Sequence, residues 1–109
     1  MQDIVESLMR LQELELVLTE SRILHSGEKP DSVAELEQKV EACRRAIDTI
    51  YLTRYDRLRR NGLGVTREIG GVCGGCRLNV NQGDLNRMRR GEMQSSCPNC
   101  GRFLLLSGN

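Results

Sequence analysis

The sequence predicts an α + small β protein: an antiparallel helical hairpin of coiled-coil type, followed by a small module held by four cysteines. Three observations carry this. Residues 1–60 place apolar side chains at helical spacing in two runs separated by a turn rich in Gly and Pro. Cys73, Cys76, Cys97 and Cys100 follow the pattern C-x2-C-x20-C-x2-C. The chain has 109 residues, 39% hydrophobic and only 3% aromatic, too few large side chains for one thick core. The hairpin takes residues 1–62, with helices over about 2–25 and 32–60, and the cysteine module takes residues 63–109.

The first helix carries Ile4, Leu8, Leu11, Leu14 and Leu18 within one stripe. Val5, Met9, Leu16 and Ile23 form a second row on another face. One partner helix covers one stripe, so the second row predicts a further surface, such as a homodimer through the hairpin. Residues 25–32, with Gly27 and Pro30, read as a turn. Ser32 and Glu35 have the spacing of a capping box at the start of the second helix. That helix has the seam Val33, Leu36, Val40, Cys43, Ile47 and Ile50, with Tyr51 and Leu58 beside it. Asn61-Gly62 stops it, after about 30 residues or ~45 Å. Cys43 reads as core filler, and His25 as a group at a helix C-terminus.

Beyond Gly64 the period changes. Residues 65–69 alternate as a short strand, and residues 78–80 are extended. Asn81 caps a short helix to about Arg90, with Val80 and Leu85 as its hydrophobic staple and Gly91 as its stop. Residues 92–96 and 102–106 are candidate strands flanking Cys97-Pro98-Asn99-Cys100.

The N-terminus MQDIVESLMR has an early acid and no long apolar run, so it reads as neither secretory signal nor membrane span. In a reducing cytoplasmic setting, paired CxxC units are metal ligands before they are disulfides. Two thiolates two residues apart on a tight turn reach one tetrahedral ion, and four close its shell. The expected cofactor is Zn²⁺ at a structural site of Cys73, Cys76, Cys97 and Cys100; a four-thiolate iron centre has the same spacing. Gly74, Gly75 and Gly101 are read as permitting the tight turns that aim N–H groups at the sulfurs, and Pro98 as stiffening the second.

Net charge is +1, with 14 Arg against 2 Lys. Residues 61–109 carry six bases and three acids; four thiolates and Zn²⁺ together bring that +3 to about +1. Arginines still cluster locally. Arg87, Arg89 and Arg90 lie on the short helix, and Arg54, Arg57, Arg59 and Arg60 at the end of the long one. These are the candidate partner-binding residues, with a solvated face as the bland reading.

Gly-Gly-Val-Cys73-Gly-Gly-Cys76, Arg89-Arg90-Gly91 and Cys97-Pro-Asn-Cys-Gly-Arg102 resemble the bacterial C4-type zinc-ribbon family with an N-terminal coiled-coil hairpin (FlgZ-like proteins). The match of motif covers residues 70–106; over the helices only the architecture is similar. The resemblance implies a zinc ribbon at the end of a helical hairpin, acting as an adaptor in the regulation of gene expression. Val80-Asn81-Gln82-Gly83 stands where that family has Leu-Pro-Pro-Gln, and Arg87 where an acidic residue is common.

The expected function is thus a non-enzymatic zinc-ribbon adaptor for a protein partner, such as transcription machinery. RNA or DNA would bind weakly and through phosphate, because Tyr51, Tyr55 and Phe103 are the only aromatics and the first and last have core roles. No paired carboxylates, nucleophile triad or phosphate loop supports an enzyme. Two alternatives stand beside it. One is an RNA polymerase secondary-channel accessory factor (DksA-like) acting through acids Glu28 and Asp31 at the hairpin tip, although the sequence ends at Asn109 without the C-terminal helix normal for that group. The other is a zinc-linked redox switch, ranked below because bound thiolates are less reactive than free ones.

Overall fold

A computed structural model describes residues 1–25 and 31–107. The elements are α1 (Gln2–Leu24), α2 (Asp31–Arg45), α3 (Thr49–Arg59), β1 (Val65–Ile69), β2 (Val72–Cys73), α4 (Gln82–Arg89) and β3 (Phe103–Leu105). The sheet order is β2-β1-β3, with β1 antiparallel to β2 and parallel to β3. The expected class is the one observed: helices packed as a hairpin, then a small β module around four cysteines. The radius of gyration is 15.3 Å, against about 13 Å for a compact chain of this size. The molecule is accordingly elongated, 50 × 26 × 24 Å.

α1 and α2 pack antiparallel through buried Leu18 and Val33, and Arg22 donates to Glu37 across them at 3.0 Å. The expected turn over 25–32 falls mostly on residues 26–30, with tip residue Glu28; these lie outside the described residues. α2 begins at Asp31, so Ser32 sits inside the helix and not at its cap.

The single helix expected over 32–60 is two helices. The chain leaves α2 at Arg45, and Asp48 caps α3, its carboxylate accepting the Ile50 N–H at 2.9 Å. The cause is a shift in apolar phase. Ile47 turns into the core at the break, while Ile50, the next seam position of an unbroken helix, is 75% exposed. Tyr51, Tyr55 and Leu58 carry the inward face of α3 instead. An ionic cluster holds the two helices: Arg44 donates to Asp56 at 2.6 and 3.2 Å and to Glu15 of α1 at 3.2 Å. Tyr55, fully buried, donates its hydroxyl to the same Glu15 at 2.6 Å. Burial, then the Glu15 carboxylate, raises the Tyr55 pKa, so it stays a neutral donor. The core aromatics are Tyr55 and Phe103; Tyr51 is half-buried.

One core runs from the helices into the β module. Val5, Leu8, Met9 and Leu11 of α1 pack with Ile47, Tyr55, Val65 and Phe103. The second apolar row of α1 is therefore divided. Val5 and Met9 are covered within the chain by the β module, whereas Leu16 and Ile23 remain exposed. A second cluster, Val80, Leu85, Met88 and Leu104 with Cys73 and Cys97, sits under α4.

Two glutamines of α1 join the layers by behaving like strand neighbours. Gln12, buried, accepts the N–H groups of Gly64 and Val65 at 2.8 and 3.0 Å and donates to the Val65 carbonyl at 3.0 Å. Gln2 donates to the Leu104 carbonyl at 3.1 Å and accepts the Leu106 N–H at 2.9 Å. A primary amide offers donor and acceptor side by side, which matches a strand's own alternation. At the far end, Glu68 of β1 accepts the N–H groups of Gly71 and Ser107 at 2.8 and 3.0 Å and the Ser107 hydroxyl at 2.9 Å. Burial opposes its ionisation, but these donors and Arg89 outweigh burial and hold its pKa below the usual carboxylate range.

Two outcomes follow. Gln12→Ala strips partners from three backbone groups and should lower the urea-unfolding free energy of the zinc-loaded chain by roughly 3 kcal/mol; a loss under 1 kcal/mol would mean water replaces the amide. Glu68 stabilises the fold fully above the ordinary carboxylate pKa, and that contribution is lost as pH falls through its lower folded value. The stability gap between the parent and Glu68→Gln should therefore close on acidification, with thiol protonation common to both chains and cancelling.

Candidate metal centre

The Cys73 knuckle begins in the β1–β2 hairpin. Ile69 pairs with Val72, leaving Gly70-Gly71 as a two-residue turn with φ of 60° and 82°. Both values are in the left-handed region, where glycine is at least cost. The chain then folds back, with the Cys73 N–H donating to the Leu78 carbonyl at 3.0 Å. The Cys97 knuckle is closed by the Cys97 N–H on the Arg102 carbonyl at 2.8 Å. Of the two strands expected beside it, residues 103–105 form β3, but residues 92–96 contribute only a bridge from Ser96 to Phe103. α4 links the knuckles. Asn81 caps it as expected, accepting from Gly83 and Asp84 N–H groups at 2.7 and 3.3 Å, and Val80 and Leu85 are buried together.

The four sulfurs converge. Cys73 Sγ lies 3.7 Å from Cys100 Sγ, Cys76 Sγ lies 3.7 Å from Cys97 Sγ, and all four lie within 4.8 Å of one another. A tetrahedron with zinc–sulfur bonds of about 2.3 Å has edges of about 3.8 Å. The donor set therefore fits Zn²⁺ with a full shell of thiolates. Among the described residues no other group of three or more Cys, His, Asp or Glu is placed to hold an ion. His25 is exposed at the end of α1, and the Cys43 thiol faces the Ser7 carbonyl at 3.7 Å.

N–H groups do point at the sulfurs. Cys73 receives those of Cys76 and Gly75, and Cys97 those of Cys100 and Asn99. Without metal the thiols differ. Burial pushes Cys73 up to about 12 and raises Cys97. The Asn99 side chain, then the Leu78 N–H, bring Cys76 down to about 6. Cys76 is thus the thiol most readily ionised, and metal binding would displace the protons of the buried cysteines to solvent.

Of the glycines read as turn residues, Gly101 acts as expected, and Gly74 and Gly75 act differently. Gly74 and Gly75 keep φ < 0. Gly74 is needed for space: a Cβ there would stand 2.8 Å from Thr66 Oγ1 and 2.9 Å from the Arg67 carbonyl. The left-handed residue falls just after each pair. In the second knuckle it is Gly101, φ 79°, donating its N–H to the Cys97 carbonyl at 2.9 Å. In the first it is Arg77, φ 66°, donating its N–H to the Cys73 carbonyl at the same 2.9 Å. The knuckles are equivalent, but one places an arginine where glycine is relaxed, at a cost of roughly 1 kcal/mol.

The arginines singled out from sequence are spread apart. On α4, Arg87 faces Asp84 at 3.4 Å, Arg89 faces buried Glu68 at 3.7 Å, and Arg90 makes two bonds to Glu92 at 3.1 and 3.2 Å. Arg59 donates to the Gly62 carbonyl at 2.8 Å. Arg57 and Arg60 have no side-chain partner among the described residues. Arg54 is structural: it stacks 4.6 Å over Phe103 and donates to the Gly101 carbonyl at 2.9 Å and to Gln94 at 2.7 Å. Burial lowers its pKa, and it braces the second knuckle from α3. Periodicity does not reveal Arg54, Gln12 or Arg77 in these roles, because their partners are backbone groups about 50 residues away or a local φ.

One zinc per chain is expected by elemental analysis of reduced protein. Chelation should unfold the β module and, through Val65 and Phe103, loosen the N-terminal half of α1, so helical circular dichroism falls in part. Arg77→Gly should raise unfolding stability by about 1 kcal/mol with zinc content unchanged.

Residues 72–104 match the model of the C4-type zinc ribbon domain. Among solved structures, CT398 from Chlamydia trachomatis superposes with TM-score 0.61 at 22% identity, over 71% of this chain and 34% of that one. A protein from Mycobacterium smegmatis superposes with TM-score 0.52 at 27% identity, over 71% of this chain and 34% of its own. The chain thus spans about a third of the length of these structures, and the likeness is one of fold. No curated protein matches the chain. Four sulfurs at tetrahedral spacing on two equivalent knuckles, within a segment matching that model, make residues 72–104 a C4-type zinc ribbon domain.

Proposed function

We propose that the protein is a non-enzymatic adaptor whose zinc ribbon presents a rigid surface to a protein partner, with gene-expression machinery as the class of partner and a reducing cytoplasm as the setting. The observation that carries this is the convergence of four sulfurs within 4.8 Å, which would fill the shell of a tetrahedral ion and leave no position for substrate or water. The ion's work is then folding, and binding belongs to the surface it stiffens. The shared core of α1, α3 and the ribbon supports the same reading, since a surface held on helices is presented in one orientation.

Nucleic acid is the secondary ligand in this reading. In the α3 cluster, Arg57 and Arg60 have no side-chain partner among the described residues, while Arg87, Arg89 and Arg90 face acids of the same chain. Phe103 and Tyr55 are buried, so no ring platform for bases is exposed by them. Of the two acids named for the hairpin tip, Glu28 lies outside the described residues and Asp31 is exposed at the start of α2.

Pull-down with the zinc-loaded chain beside Cys97→Ser tests the adaptor. The expected result is a protein retained by the parent and lost with the ribbon; equal retention by both would reject it. For phosphate, Arg57→Ala with Arg60→Ala should reduce the salt slope of oligonucleotide binding by about 2, more than replacement of Arg87, Arg89 and Arg90 together.

A further inference from the structure

The groove between α1 and β1 is lined by Met9, Leu63, Ile69, Arg67, Gly74 and Arg77 and has a volume of about 340 Å³. Leu63 is 41% and Ile69 68% exposed, and Met9 beside them is buried. Arg67 and Arg77 are both exposed, and neither guanidinium has a partner among the described residues. This differs from α4, where each arginine has its own carboxylate.

A second observation comes from the backbone. Arg77 occupies the left-handed position that the equivalent knuckle gives to Gly101. A side chain without an internal partner on a left-handed residue is open to a contact made outside the fold. We propose that this groove binds an acidic, apolar peptide segment of a partner protein, its Asp or Glu side chains meeting Arg67 and Arg77 and its aliphatic side chains covering Leu63, Ile69 and Met9.

Charge and shape select this occupant. A second copy docked symmetrically would bring Arg67 and Arg77 against their own counterparts, a like-charge contact. A nucleic acid would leave Leu63 and Ile69 against phosphate and sugar, and no aromatic ring lines the groove to stack a base. Carboxylates with aliphatic neighbours satisfy both halves of the surface. The proposal rests on the adaptor reading and narrows it to one face.

The test uses the full zinc-loaded chain and three fluorescein-labelled probes read by anisotropy: 12-residue peptides alternating Asp with Leu or Ile, the same peptides with Lys for Asp, and a single-stranded 20-mer oligonucleotide. The Asp peptides should bind best, with affinity falling as salt rises. Arg77→Gly and Arg67→Thr should each weaken them about threefold, and together about tenfold. Arg77→Gly separates binding from structure, because it relieves the backbone while removing the guanidinium. Unchanged peptide affinity in that variant would overturn the proposal, as would equal binding of the Lys peptides or preference for the oligonucleotide. Loss of zinc affinity in Arg77→Gly would also overturn it, assigning Arg77 to the metal centre's charge. A cellular partner retained by the double variant but lost by Cys97→Ser leaves the adaptor reading intact and removes this groove from it.

Discussion

Four sulfurs on two turns must lie about 3.8 Å apart around one ion, and the ribbon is built to that spacing. Its own apolar cluster is small, and two of its six buried members are the ligands Cys73 and Cys97. Burial alone would not hold such a module, so its stability and its metal affinity are largely one quantity. Each knuckle is closed by the same backbone bonds, which leave the N–H groups of Gly75, Cys76, Asn99 and Cys100 to face the sulfurs. An ion held by Cys73, Cys76, Cys97 and Cys100 would tie the two knuckles, and α4 between them, together.

The helices supply what the ribbon lacks. α1 packs along α2 from Ser7, which faces Cys43, to Arg22, which faces Glu37, and its N-terminal half also meets the β module, so one helix serves two partners. Gln2 and Gln12 fix the module along the helix, since amides matched to strand groups tolerate little sliding. The break at Ala46–Asp48 follows from the same demand. A straight second helix would keep Ile50 on the seam and carry Tyr55 away from Glu15. The break instead brings Tyr55 under Gly64 and Arg54 onto the Cys97 knuckle.

This arrangement separates surfaces by chemistry. The arginines of α4 face acids of the same chain, Arg57 and Arg60 have no side-chain partner among the described residues, and Arg67 and Arg77 flank apolar side chains. A near-neutral chain can thus carry distinct faces without a strong overall field.

The sequence by itself determined the metal ligands, the α1 stripe, the β1 strand, the Asn81 cap and the order of the two units. Each is written locally: in a CxxC spacing, a helical or strand period, or a capping residue beside the helix it caps. The break between α2 and α3 was half legible. Asp48 is a good cap, and the apolar spacing changes from Ile47 onward, but a heptad seam extended through Ile50 hides both. Only the tertiary structure decided the rest. Burial of Val5 and Met9 depends on which surface reaches them, and helical periodicity says only that something must. The roles of Gln12, Glu68 and Arg54 depend on backbone groups tens of residues away, and a polar residue's distant partner leaves no periodic trace. The strain at Arg77 comes from a dihedral imposed by the knuckle, visible only when the two knuckles are superposed in three dimensions.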